Sequence, residues 1–277
     1  MSTEPAARLG TPPPTELSEA RLVLHFAAQP LVAAAYALLP ARDDHVQSSV
    51  GWDAERRRFI GHELPEGRRA FLDPLALRLG VQDEEAREMA SFPVVGATLD
   101  ELSADLAEVL EAPELTLPSY DLPDSPFASG ATFPAPPEGS VEELVRWFEL
   151  GAGLVSEVAR ARFGGAPLRG WPHHFDFAAL HSLDPDLDPE TARSINVGLS
   201  PGDGTCDEPY LYVTPYPAPS ADALPKLAHG RWHTEGYIAA VLTGSEMVAA
   251  GSAAEQRAVA EAFLASATDA AFALLER

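Results

Sequence analysis

Cysteine is almost absent. Cys206 stands alone among 277 residues, which excludes an intrachain disulfide and every cysteine-rich zinc pattern. It is followed by Asp207 and Glu208, whose charges disfavour a thiolate, so it is also a poor nucleophile. Positive charge is scarce, with 19 Lys and Arg against 42 Asp and Glu, for a formal net charge of −23. Nucleic acid and anionic membranes both call for a basic surface, so neither is expected as a partner. Solubility or a salt-tolerant setting is the simpler reading of the acidity. No glycine-rich phosphate loop is present, since G-D-G-T at 202–205 reads as a turn with no helix after it. No apolar run of membrane-spanning length stands out, and the N-terminus lacks the basic start and apolar stretch of a secretory signal. The expectation is a cytoplasmic globular protein, 46% hydrophobic and long enough to bury a proper core.

Residues 1–14 are small, polar and rich in proline, and read as a flexible tail. Helical spacing of apolar residues then runs from Leu17 to Leu39, with Thr15 as candidate N-cap and Pro30 as a kink or break. His25 and Gln29 share a face of that helix, so His25 either bonds locally or lines a pocket. Short strands are expected at 46–52, 58–64, 71–81 and 92–95. Thr98 with Glu101, and Ser140 with Glu143, each have the spacing of a capping box opening a helix. Between these helices lies 112–139, with seven prolines, too broken for a regular element and apolar enough to pack as a crossover. Four further strands and a helix at 253–275 complete the chain. The pattern predicts one α+β unit, residues 15–277, holding two small antiparallel sheets with covering helices. Its halves are 15–111 and 140–277.

The stretch 171–237 carries the chemistry. It reads W-P-H-H-F-D at 171–176, D-E-P-Y-L-Y-V-T-P-Y-P at 207–217 and W-H-T-E-G-Y at 232–237, with the apolar run 195–199 between the first two. Alternation along strands places Ile195, Val197, Leu199, Leu211 and Val213 toward the helices. The opposite face then collects His174, Asp176, Asn196, Glu208, Tyr210, Tyr212, His233, Glu235 and Tyr237, unless a bulge at Pro209 or Pro215 breaks the register. Imidazole and carboxylate on strands can act as general acid and base, a role for His174, Asp176, His233 and Glu235. Glu208, Tyr210, Tyr212, Asn196 and His25 would hold an oxygen-rich substrate. The same kit can bind a divalent metal such as zinc or iron through His174, His233 and Glu208. H-H-x-D and H-x-E are weak patterns, and a purely structural role for these residues stays open.

Several motifs resemble an uncharacterised, mainly bacterial family, domain of unknown function 5996. They are L-H-F-A-A-Q at 24–29, A-R-A-R-F-G-G at 159–165, H-F-D-F-A at 174–178, and S-P-G-D followed by E-P-Y-L-Y-V-T-P-Y-P within 200–217. The likeness is firmest from Val141 onward, and W-P-H-H departs from the pattern. It implies a shared fold and no established activity. The residues therefore point to an enzyme or binding protein for a small polar molecule. The alternative is a non-catalytic interaction or scaffold protein.

Overall fold

The computed structural model describes residues 7–42, 44–117, 119–188 and 191–276. It contains helices and two antiparallel sheets, of five and six strands, which is the expected α+β class. By its internal contacts the chain divides into two compact units. One takes in Leu17–Val145 and Arg169–Phe175; the other takes in the chain up to Glu16, Arg146–Leu168 and everything from Asp176 onward. The crossover 112–139 lies inside the first of these.

In the first unit, α1 (Ser18–Ala27) and α2 (Gln29–Leu38) meet at Ala28, because Pro30 can occupy only the first turn of a helix. The cap of α1 is Leu17, not Thr15, and it makes no side-chain cap bond. The sheet runs in order β1 (Gly51–Asp53), β2 (Arg58–Ile60), β3 (Arg69–Asp73), β4 (Arg78–Gln82), β5 (Glu88–Pro93). Residues 46–48, expected to be strand, form a short 3-10 turn, and 71–81 is a hairpin, not one strand. On one face Phe59, Leu72, Leu79 and Val81 are fully buried. The opposite face pairs charge with charge, Asp53 opposite Arg58 and Asp73 opposite Arg78. Arg58 also lies over the Phe71 ring at 4.1 Å. Helix α3 (Leu99–Leu110) opens with the predicted capping box of Thr98 and Glu101. The crossover buries Leu115, Phe127 and Phe133, as its apolar content predicts. Ser140 is the first residue of α4 (Ser140–Arg162), not its cap, and its hydroxyl donates to Pro137 O. A last strand, β6 (Arg169–Trp171), bridges to Val50.

In the second unit the strands β7 (Asp176–Ser182), β8 (Ser194–Ser200), β9 (Tyr210–Tyr216), β10 (Arg231–His233) and β11 (Ala239–Thr243) lie in the order β10-β11-β9-β8-β7. Two short-range capping boxes start α5 (Gly244–Val248) and α6 (Ala253–Leu275). The helices pack on one face of the sheet. Phe148 of α4 meets Phe177 edge-on, and Phe163 and Phe272 close around His181. Gly151 is needed there, since a Cβ would sit 2.7 Å from Leu199. Residues 7–14 are not a loose tail. Leu9 is buried, its N–H donates to Gln256 Oε1 at 2.9 Å, and its carbonyl accepts from Gln256 Nε2 at 3.1 Å.

Ser252 accepts from Glu255 N and receives the Glu255 carboxylate in return. Ser252→Ala is expected to cost about 1 kcal/mol, read as a lower urea midpoint at unchanged slope. An unmoved midpoint would show that α6 is held by packing alone. Two stretches, Ser18–Leu38 and Ala253–Leu275, are long and apolar enough to cross a membrane by length and composition, which the sequence reading misses. Their apolar windows are 72% and 44% buried, and a mostly buried core helix, such as the first, passes the same test of length and composition.

Candidate functional site

Register carries the predicted face through β7, β8 and β9 of the second unit. Gly198 is opposite Tyr212, Asn196 opposite Thr214, and Ser200 opposite Tyr210, with no shift at Pro215. Asp176, Asn196, Tyr210 and Tyr212 thus share one face, away from the helices that cover Val197 and Leu199. Tyr212 lies across Gly198 and donates its hydroxyl proton to Asp176 Oδ2. Having given its only proton, Tyr212 Oη accepts from Asn196 Nδ2 at 3.4 Å. That fixes the Asn196 amide, whose Oδ1 is buried with no hydrogen-bond partner. Ser182 Oγ, on the same face of β7, is buried and unpartnered too. Tyr210 donates to Asp203 Oδ2 at 2.5 Å. Toward the other end the face opens, with Leu180 at 51% and Tyr216 at 45% exposure.

Burial pushes the Tyr212 hydroxyl well above the usual phenol range, and neighbouring Asp176 pushes it further. Tyr210 is raised for the same reasons, burial first and then Asp203. Both stay protonated and serve as donors.

The remaining predicted residues leave this face. Glu208 precedes β9, and its Oε2 accepts from Ser245 N at 2.7 Å and Ser245 Oγ at 2.6 Å, anchoring the start of α5. His233 ends β10, and its Nε2 bonds the Glu235 carbonyl at 2.7 Å across an exposed turn. Glu235 and Tyr237 lie on that turn, beyond the strand. His174 is on no strand. Residues 172–175 form a turn closed by Phe175 N donating to Trp171 O at 2.7 Å, with Phe175 at φ 57°. A left-handed residue breaks the two-residue alternation that would have set His174 beside Asp176. The acid–base set of His174, Asp176, His233 and Glu235 is therefore not assembled on one face. The metal set fails similarly, because Glu208 is committed to Ser245. Among the described residues no three His, Cys, Asp or Glu side chains gather as a metal site.

His25 belongs to the first unit, where it is 4% exposed. Its Nε2 donates to Pro172 O at 2.7 Å, and Gln29 Nε2 donates to the same oxygen and to His25 O, each at 3.0 Å. Tyr120 from the crossover donates to Gln29 Oε1, and the His25 ring stacks on Phe175 at 5.0 Å. Desolvation lowers the His25 pKa to about 4, and burial does the same to His173. Both imidazoles are neutral near pH 7. His25 is thus a structural tie for the Pro172 turn and not a lining residue of the sheet face.

Sequence reasoning missed Asp203, Gly198 and Tyr120. Gly198 had a signal, since a glycine inside an apolar strand marks close approach of another group. No family model matches the chain, and neither the curated proteins nor the solved structures give a match.

Proposed function

We propose that this chain is a binding protein for a small, uncharged polar molecule, held on the amide- and hydroxyl-bearing face of β7, β8 and β9. The observation that carries the reading is Asn196 Oδ1, a buried acceptor left open beside the Tyr212–Asp176 pair. A buried amide oxygen without a partner is costly, and a ligand donor would remove that cost. Ser182 supplies a second open group, and Thr214 and Tyr216 flank them on β9. Binding fits better than acid–base catalysis. A proton shuttle at neutral pH needs a pKa near 7, whereas Tyr210 and Tyr212 on this face are both raised away from it. The reading includes a cytoplasmic setting and no nucleic-acid partner, supported by the lone cysteine and the charge of −23.

The exposed Leu180 and Tyr216 favour one competing reading, a protein-docking face. A panel of neutral polyols and amides, followed by amide NMR on the full chain, separates the two. Saturable shifts confined to 180–182, 194–200 and 210–216 are expected, weakened about tenfold in Asn196→Leu by loss of one hydrogen bond to a buried amide. Shifts that persist unchanged in Asn196→Leu, or a panel that moves none of these signals, would overturn the small-molecule reading.

A further inference from the structure

The first unit gathers cations at one end of its sheet. Gly51 pairs with Ile60 and Ile60 with Phe71, and the same register sets His62 between Ser49 and Arg69. These residues occupy the face turned away from the buried Phe59 and Leu72. Ser49 Oγ gives its proton to Val46 O at 2.8 Å and accepts from His62 Nε2 at 3.1 Å, while Arg69 Nη1 donates to Gly61 O at 3.4 Å. The antiparallel bridge of Val50 to Gly170 brings Arg169 of β6 alongside Gly51, on that same face. Burial lowers the His62 pKa, the Val46 backbone opposes this, and Arg69, Arg169 and Arg42 lower it further. His62 is therefore a neutral ring surrounded by three guanidinium groups.

Such a group is unexpected in a chain with 42 Asp and Glu against 19 Lys and Arg. Two of its members are matched. Arg42 holds Asp44 through two bonds of 2.9 and 3.0 Å, and Arg69 holds Glu63 at 3.1 Å. Arg169 is left over. The Asp44 carboxyl is held low by its Arg42 hydrogen bonds first, and Arg169 adds to this without coming within ion-pair distance. Among the described residues its guanidinium has no hydrogen bond or ion pair. Arg8, Arg160 and Lys226 are unpaired as well, but they are exposed and water solvates them, whereas Arg169 is half-buried. A guanidinium that has given up part of its hydration gains from an anion offering two acceptors in its plane. Three guanidinium groups against two carboxylates leave one positive charge, which suits a monoanion. A dianion would exceed that surplus beside Asp44 and Glu63.

We propose that this end of the first sheet binds the carboxylate of a small organic acid, its two oxygens on the Arg169 guanidinium and His62 beside them. The site lies in the first unit and stands independently of the β7–β9 face. The test is titration of the full chain with propionate at constant ionic strength, followed by NMR of the His62 ring. A saturable shift is expected, and bound propionate should raise the pH at which the ring titrates, because it offsets the guanidinium charges. Propionamide, the uncharged isostere, should give no shift at the same concentration, and inorganic phosphate should bind more weakly. Arg169→Gln should weaken propionate at least tenfold by loss of charge-assisted hydrogen bonds. Arg169→Lys, which keeps the charge and loses the planar fork, should weaken it severalfold. Arg160→Gln removes an equal charge from an exposed position and should leave binding unchanged. A His62 ring that propionate does not move, an equal response to propionamide, or tighter binding of phosphate would overturn the proposal. So would undiminished binding in Arg169→Gln or an equal loss in Arg160→Gln. Should Arg169→Gln fail to fold, Arg169→Lys and the two comparison ligands still decide.

Discussion

Gly198→Ala is expected to destabilise the chain by about 3 kcal/mol, far more than a glycine-to-alanine change in an ordinary strand. A Cβ there would lie 2.5 Å from both Cζ and Oη of Tyr212, closer than real Cβ atoms approach their neighbours. The ring is buried and hydrogen-bonded to Asp176, so it cannot swing aside without giving up that bond. Overpacking contributes about 1–3 kcal/mol, and loss of the Tyr212–Asp176 hydrogen bond adds to it. Tyr212→Phe alone should cost about 1–3 kcal/mol, because the Asp176 carboxyl loses its phenol donor in a buried setting. The double variant is the sharper experiment. Once the hydroxyl is gone, the added methyl meets a shorter ring and has no bond left to break. The two costs should fall short of additivity by about 1 kcal/mol or more in urea unfolding. Additivity within about 0.5 kcal/mol would mean that Gly198 is there for some reason other than Tyr212.

Acid should unfold the protein early, and His25 sets much of that response. Its folded pKa is about 4 against an ordinary 6.5, lowered by desolvation first and then by Arg21, His174 and His173, with Pro172 O acting in the opposite sense. Between these two values the unfolded chain binds a proton that the folded chain does not, so stability rises with pH across that window. The contribution is fully present above about pH 6.5 and is lost as pH falls through 4. It amounts to about 3 kcal/mol for a group this buried. His173 shifts in the same direction, and its partial exposure makes its share smaller. His25→Phe keeps an aromatic ring against Phe175 and gives up the bond to Pro172 O. It should be less stable than the parent at pH 7.5 yet lose less stability on going to pH 4.5. Parallel urea midpoints for parent and variant across that range would assign the acid response to other groups.

The helices were legible from the residues because their signals are local. Thr98 with Glu101 satisfies N–H groups within one turn, and Pro30 divides α1 from α2 whatever surrounds it, whereas the capping box read at Ser140 and Glu143 lies one residue inside α4. Strand faces were legible wherever strict alternation held, which is why Asn196, Tyr210 and Tyr212 were placed on one face correctly. The alternation fails at W-P-H-H-F, where Pro172 and the left-handed Phe175 turn the chain and His174 leaves the sheet. It also gives no warning that Glu208 is spent on Ser245, 37 residues away, or that His233 binds the backbone of its own turn.

The sequence by itself determined the α+β class, the Thr98 capping box, the break at Pro30, the lack of an intrachain disulfide and the polar character of the β7–β9 face. Each follows from spacing within a few residues or from composition. Tertiary structure decided which polar residues act together. His25 is tied to Pro172 across 147 positions and Tyr212 to Asp176 across 36. Which groups meet across such distances depends on how the sheets twist and which side chains are shut away from water. An imidazole or carboxyl has no fixed role until burial and its neighbours set its charge.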